Sequence, residues 1–443
     1  MAEMGKRNDG VERLTDEDLL SEVLCRLPVK YILQCKVVSK TWYSLISSPS
    51  FVKFHHRRAI ACTNAGNDKE ATLIVKLNED DSGEFPEEDG SYSLFQLGGG
   101  CDEFLAHLKF PFSRGDYPST PNSHFVGCVS GVVCIYVWNK SVDHIYIWNP
   151  ATKQSKLIPS PPQYANPPRD RHGYGTEIKY ALGFGFDSID FDFKIVRVVS
   201  PRRKVSPSIF SEVYSAKRDA WRNIETEVTD FPDHNKFHIC LHGFLFATGD
   251  NGVMAFNLNK EVFVCDVKLP ISCYCGSICY VAQIAEFKDS VSVIISKCEK
   301  LGKTISLWTL DDEACLHGGG VKALWTFKLS IDVESEICHL EWVQGLYNSV
   351  EFLLLDVDGW FSYNSDNKVG RYIRPDPYFS YDEVFKYRES LLSVPGSNLV
   401  DSVIFLMMKM LGSEIALIQK MMMKKHCLIL KTVRRATLMK KAA

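Results

Sequence analysis

Five times along the chain an apolar run ends in an aromatic residue and drops at once into a polar turn. The five stretches are Trp148-Asn149-Pro150-Ala151-Thr152-Lys153, Tyr214-Ser215-Ala216-Lys217-Arg218-Asp219, Phe256-Asn257-Leu258-Asn259-Lys260-Glu261, Trp308-Thr309-Leu310-Asp311-Asp312-Glu313 and Tyr363-Asn364-Ser365-Asp366-Asn367-Lys368. Their aromatics stand 66, 42, 52 and 55 residues apart, close to the roughly 50-residue blade of kelch-like propellers. Between them lie short β-branched and aromatic runs, such as Ile145–Trp148, Lys194–Val199, Val253–Phe256, Ser292–Ile295 and Glu351–Leu355. Bounded by Gly, Asn, Asp and Pro, these read as strands. A unit of this size leaves an apolar face that only a neighbour can cover, which is why such units come in rings. The cadence predicts a mainly-β, propeller-like body from about residue 70 to 395. The doubled glycines of kelch repeats are missing from the expected places, and Gly98–Gly100 and Gly318–Gly320 read as loops.

The head of the chain follows another rule. Leu19, Leu20, Val23, Leu24 and Leu27 fall on one helical face, with Thr15 as the cap and Asp18 three residues on. Pro28 stops that helix and suits the first turn of the next, which carries Ile32, Leu33 and Cys35. Ser39 caps a third helix bearing Trp42, Leu45 and Ile46, which ends near Ser47-Ser48-Pro49. Three helices in so few residues rarely build a sufficient core alone. The residues themselves leave two readings open: a cap packed on the body, or a docking module whose surplus apolar face belongs to another protein.

A resemblance separates them. Leu14, the run from Asp18-Leu19-Leu20 through Leu27-Pro28-Val29-Lys30, Val37-Val38-Ser39-Lys40-Thr41-Trp42 and Leu45-Ile46-Ser47-Ser48-Pro49-Ser50-Phe51 closely resemble the F-box over residues 12–56. Two positions depart from that pattern: Thr15, where the family usually has Pro, and Tyr31, where it usually has Ser. The body is similar to the F-box-associated domain of plant F-box proteins. The matching pieces include Gly127–Cys134, Trp148–Thr152, Leu182–Asp187, Asp192–Val196 and Leu307–Leu310 with Trp325.

The resemblance implies a kelch-like interaction domain that recruits a target protein. It also implies a head that binds a Skp-type adaptor, and through it the cullin and RING subunits of a ubiquitin ligase. The adaptor-binding residues it implies are Leu14, Leu20, Leu27, Pro28, Val29, Val38 and Trp42. The expected role is a substrate-recognition subunit, with a scaffold or glycan-binding receptor outside a ligase as the alternative.

The chain holds no P-loop, H-E-x-x-H or G-x-S-x-G pattern. Gly127-Cys128-Val129-Ser130-Gly131 only approximates the last, and Gly183-Phe184-Gly185 reads as a strand end whose aromatics pack in the core. Cys273, Cys275 and Cys279, with His238 and His242 upstream, are the one cluster of metal-ligand types, but paired C-x-x-C knuckles are absent. The expectation is no enzyme, no cofactor and no metal.

A formal net charge of −3 gives no reason to expect nucleic acid or a membrane surface. Fifteen cysteines, an odd number, without a secretory leader point to reduced thiols in the cytoplasm or nucleus. The acidic stretch Glu79–Asp89 and the basic run Pro201–Lys204 read as solvated loops. Residues 401–443 hold seven of the ten methionines and nine basic against two acidic residues, a tail unlike the rest. The expected layout is a disordered stretch over 1–11, the three-helix F-box head over 12–56 and a linker with first β segments over 57–123. The β domain follows over 124–396, and the basic Met-rich tail over 397–443. Target contacts are expected from 159–178 and 311–320, because binding loops gather on a propeller rim.

Overall fold

A computed structural model describes residues 16–64 and, in the body, 71–78, 92–97, 103–108, 122–138, 143–161, 178–201, 209–224, 230–249, 252–270, 280–299, 302–317, 322–333, 342–346, 351–356, 359–372 and 380–397. The chain divides into two compact units between Ile60 and Ala61. Among the described residues no helix is long and apolar enough to cross a membrane.

The first unit has four helices where the sequence predicted three: α1 (Asp16–Leu24), α2 (Val29–Cys35), α3 (Lys40–Ser47) and α4 (Pro49–Asn64). Ser48-Pro49, expected as a stop, is a start. The Ser48 hydroxyl accepts the Phe51 N–H at 3.2 Å, and Pro49 takes the first helical position, where its missing N–H is no loss. Pro28 sits at the N-cap of α2 with φ −55° and ψ 147°. Ser39 caps α3 as predicted, accepting the Trp42 N–H at 3.1 Å. Thr15 lies outside the described residues. Leu24, Cys25, Val29, Ile32, Cys35, Ile46 and Phe51 form the buried core.

The second unit is six four-stranded antiparallel sheets. Blade 1 joins both ends of the body: β1 (Ala71–Asn78), β2 (Tyr92–Leu97) and β3 (Glu103–Leu108) pair in order, and β24 (Ser380–Lys386) adds to β1. Blade 2 holds β4 (Asn122–Val129), β5 (Val132–Trp138), β6 (Asp143–Asn149) and β7 (Gln154–Leu157). Blade 3 holds β8 (Ile178–Asp187), β9 (Asp192–Pro201), β10 (Phe210–Ser215) and β11 (Ala220–Ile224). In blade 4 come β12 (Ile239–Leu241), β13 (Phe244–Gly249), β14 (Gly252–Asn257) and β15 (Val262–Val267). Blade 5 is β16 (Tyr280–Phe287), β17 (Ser290–Glu299), β18 (Gly302–Leu310) and β19 (Trp325–Val333). Blade 6 is β20 (Trp342–Leu346), β21 (Glu351–Asp356), β22 (Gly359–Asn364) and β23 (Val369–Tyr372).

The first strands of neighbouring blades adjoin from blade 2 to blade 6, and β24 adjoins both β4 and β22, so the sheets form a closed β-propeller. The core lies between blades. Val196 and Val213 of blade 3 pack with Leu245 and Phe256 of blade 4, and Ile294 and Leu307 of blade 5 pack with Phe352 and Leu354 of blade 6. Gly183 and Gly185 fall inside β8 rather than at a strand end. A Cβ on Gly185 would lie 2.6 Å from Leu258, so the missing side chain lets blade 4 approach.

The aromatic cadence marks the hairpin between the third and fourth strands of blades 2 to 6. In blades 2 and 6 the polar residue after the aromatic closes its own turn. Asn149 Oδ1 accepts the N–H groups of Ala151 and Thr152, and Asn364 Oδ1 those of Asp366 and Asn367. Ser215 and Asn257 act alike on Arg218 and Lys260. Blade 5 departs, with a 3-10 turn at Glu313–His317 inside a longer connection. Blade 1 lacks the cadence: its third-to-fourth hairpin, between β2 and β3, carries the Gly98–Gly100 run instead.

After β24 the chain continues as a strap over blade 2. Asn149 Nδ2 donates to the carbonyls of Ser390 and Leu392 at 3.1 and 2.7 Å, and Leu391, Leu392 and Val394 are buried. Ser130 and Gly131 make the β4–β5 turn with φ of 52° and 74°. A Cβ on Gly131 would meet the Arg388 carbonyl at 2.2 Å.

Candidate functional site

The helical unit presents a half-exposed apolar set. Leu20 and Leu27 of the α1 region, and Val38 and Trp42 around the start of α3, are partly open, and Pro28 is exposed. Val29 is only 4% exposed and belongs to the core, so it holds α2 in place from within. Leu14 lies outside the described residues. Tyr31 points outward at 52% exposure, while its neighbour Ile32 is fully buried. Glu22 holds Arg26 and Arg58 at 3.7 and 3.5 Å, and the Lys36 amine lies 5.8 Å from the Tyr43 ring centre. Burial raises the Cys35 thiol to about 11 and lowers His56 to about 4, His55 and Arg57 adding to the second effect. These groups are protonated thiol and neutral imidazole at neutral pH, and neither is poised as a nucleophile or acid.

The propeller has two ends fixed by its antiparallel order. The first-to-second and third-to-fourth hairpins of blades 2 to 6 lie at one end, the hairpin rim. The second-to-third hairpins and the links between blades lie at the other, the connector rim. The two stretches expected to bind a target therefore fall at opposite ends. Residues 159–178 link β7 to β8 on the connector rim, and 311–320 link β18 to β19 on the hairpin rim. Of the first, 162–177 lie outside the described residues, as do 318–320.

On the hairpin rim, His242 bridges two connections of blade 5 from its own turn in blade 4. Its Nδ1 is 2.7 Å from Glu313 Oε1 and its Nε2 is 3.1 Å from Asp289 Oδ1. Burial pulls this imidazole down, but hydrogen bonds and charge from Glu313 and Asp289 outweigh it and raise its pKa. A buried ion cluster on the same rim joins blades 3 and 4. Lys194, 3% exposed, reaches Asp187 and Glu261 at 2.9 Å each and donates to the Leu258 carbonyl at 2.6 Å. Arg222 also pairs with Glu261.

On the connector rim, blade 2 shows an aromatic row that the sequence did not single out. Asn122, Trp138 and Asp143 stand side by side across β4, β5 and β6, with His124, Tyr136 and Ile145 in the row below. Tyr136 and Trp138 stack at 5.1 Å and 11°. His124 meets both edge-on at 5.1 and 5.2 Å. Tyr180 of blade 3 meets Tyr136 edge-on at 5.6 Å, and its hydroxyl donates to Asp143 Oδ2 at 3.4 Å. The alternation Tyr136-x-Trp138 was visible in the sequence, but its cross-strand neighbours needed the register.

Residues of all six blades line a central cavity of about 150 Å³, Phe184, Phe385 and Leu353 among them. Burial holds His238, on its wall, down to about 3, and pushes the thiols of Cys128 and Cys240 to about 12 and 11. Cys273, Cys275 and Cys279 lie outside the described residues, as do Glu79–Asp89, Arg202–Lys204 and 401–443. Among the described residues no group of three or more His, Cys, Asp and Glu is placed to hold a metal ion.

Comparison with known proteins agrees with this geometry. Residues 16–54 match the F-box domain, and residues 103–317 match the F-box associated beta propeller domain. An F-box/kelch-repeat protein of Arabidopsis thaliana is 24% identical over 374 residues, covering 81% of this chain and 89% of that protein. Another F-box protein of the same plant is 27% identical over 47% of this chain and 45% of its own length. The Arabidopsis F-box protein CPR1 is 24% identical over 47% and 45%.

Proposed function

Because the chain is an F-box protein of the plant type with a C-terminal F-box-associated propeller domain, we propose that it is the substrate-recognition subunit of a Skp–cullin–F-box ubiquitin ligase. The helical unit docks a Skp-type adaptor, and the propeller holds a target protein near the charged ubiquitin-conjugating enzyme. The chain then contributes no bond-making group of its own. Catalysis is proximity, the raised effective concentration of a target lysine at chemistry performed elsewhere. The working compartment is the cytoplasm or nucleus.

The observation that carries this reading is the half-exposed set Leu20, Leu27, Pro28, Val38 and Trp42 on a unit whose own core is small. A four-helix module of this size gains by covering such a face with a partner. Tyr31 stands exposed beside it, on α2, where it meets the adaptor or borders the contact.

Co-purification with a Skp-type adaptor tests the reading. Leu27→Asp should abolish it while the propeller's thermal transition stays in place, and adaptor retention by Leu27→Asp would remove the docking role. Tyr31→Ser should leave or tighten adaptor binding. In cells, loss of the chain should cause a target to accumulate. A chain that binds adaptor while no target accumulates on its loss, or on proteasome inhibition, would be a scaffold outside a ligase.

A further inference from the structure

We propose that the row Asn122–Trp138–Asp143, at the junction of blades 2 and 3 on the connector rim, docks a peptide segment of the target that presents an arginine or lysine side chain. This deepens the receptor reading above and rests on it.

Three observations carry the choice of occupant. Asp143 is a carboxylate with no cation beside it in hydrogen-bonding range among the described residues; its contact is the Tyr180 hydroxyl at 3.4 Å. Among the described residues, Arg197 acts on it by charge but is already engaged, placing two N–H groups on Glu212 Oε2 at 2.9 and 2.6 Å. Beside Asp143, the half-exposed Trp138 indole is backed by Tyr136 and flanked by His124. An indole next to an exposed carboxylate is the combination that attracts a cationic side chain, through the ring's negative face and the charge together.

The surroundings strengthen the bias. Burial by neighbouring groups pushes the Asp143 carboxyl above the ordinary range, with Arg197 and His144 pulling the other way. An incoming guanidinium or ammonium would relieve that cost. Position favours a target contact too. Trp138 and Asp143 flank the 139–142 connection, and Tyr180 follows the 158–177 link, so the row stands among the connections that vary most freely in such folds.

The test is selection on the full-length chain. A random displayed-peptide library is panned against it, and the selected peptides are labelled and titrated by fluorescence polarisation. The expected peptides share an Arg or Lys. Asp143→Asn and Trp138→Ala each weaken their binding about tenfold, and Trp138→Phe keeps most of it. Val369→Ser, near the hairpin rim of blade 6, leaves it unchanged. Added salt weakens the wild type more than Asp143→Asn.

Selected peptides lacking a basic residue, or unchanged affinity in both Asp143→Asn and Trp138→Ala, overturn the proposal. So does a glycan-array signal that disappears in Trp138→Ala with no peptide selected, since it reassigns the row to sugars. The two readings fail separately. Basic-peptide binding by a chain that takes no Skp-type adaptor removes the ligase role and leaves the patch; adaptor binding with no basic-peptide selection removes the patch alone.

Discussion

The two rims of the propeller are made of the same strands and solve different problems. On the hairpin rim the turns satisfy themselves: Asn149, Ser215, Asn257 and Asn364 bond the backbone of their own loops, Lys194 neutralises two acids, and the strap lies over blade 2. On the connector rim blade 2 ends instead in a partly open indole and a carboxylate that, among the described residues, has no cation within hydrogen-bonding range. One rim invests these polar groups in holding the ring; the other presents an exposed carboxylate beside a half-open indole. Substitutions at the first should therefore cost stability and spare recognition, and those at the second the reverse.

The sharpest way to break the contrast is Lys194→Met. It takes the buried cation from Asp187 and leaves Glu261 with Arg222 alone, and losing one partner of a buried pair costs about 3–5 kcal/mol. Urea unfolding should show that drop. A loss under about 1 kcal/mol would mean that the cluster is no support of the hairpin rim. Asn149→Ala comes next, because it frees two strap carbonyls and two turn N–H groups. At about 1 kcal/mol per hydrogen bond, with some replaced by water, a loss of about 2–3 kcal/mol is expected. Faster proteolysis after Tyr387 should accompany it.

His242 offers a pH-resolved version. Its folded-state pKa is raised, so its contribution is fully present below the ordinary value of about 6.5 and fades as pH rises through the higher folded value. The melting-temperature gap between wild type and His242→Gln should accordingly be larger at pH 5.5 than at pH 8.5. An equal gap at both pH values would show that protonation plays no part. The smallest stability effect belongs to the other rim, where Asp143→Asn should stay within about 0.5 kcal/mol of wild type. A large loss there would make Asp143 another structural group and erase the difference between the rims.

Much of this was legible in the chain. The aromatic-then-polar cadence located the third-to-fourth hairpin of five blades, since four of these turns, all but that of blade 5, close through a local side-chain bond. Ser39 and Pro28 were equally readable, because caps and proline act within a few residues. What stayed hidden depended on chain segments far apart. Blade 1 takes β24 from some three hundred residues downstream, as the pairing of Ile74 with Phe385 shows. The Asn149 clasp depends on Ser390 and Leu392, and the aromatic row on the register of Trp138 with Asn122 and Asp143. Ser48-Pro49 is ambiguous for another reason: the same dipeptide that can end a helix can cap and begin one.

Blade 1 also bears on how the protein is made. β1, β2 and β3 leave the ribosome early, yet the edge of β1 has no partner until Ser380–Lys386 has been synthesised. At about 5–20 residues per second, that interval lasts roughly 15–60 s. Throughout it the nascent chain carries an open strand edge, of the kind that invites pairing with a stranger. A transcript ending before residue 380 would release a ring that cannot close, so β24 serves as a checkpoint on whether the message was read through the whole propeller.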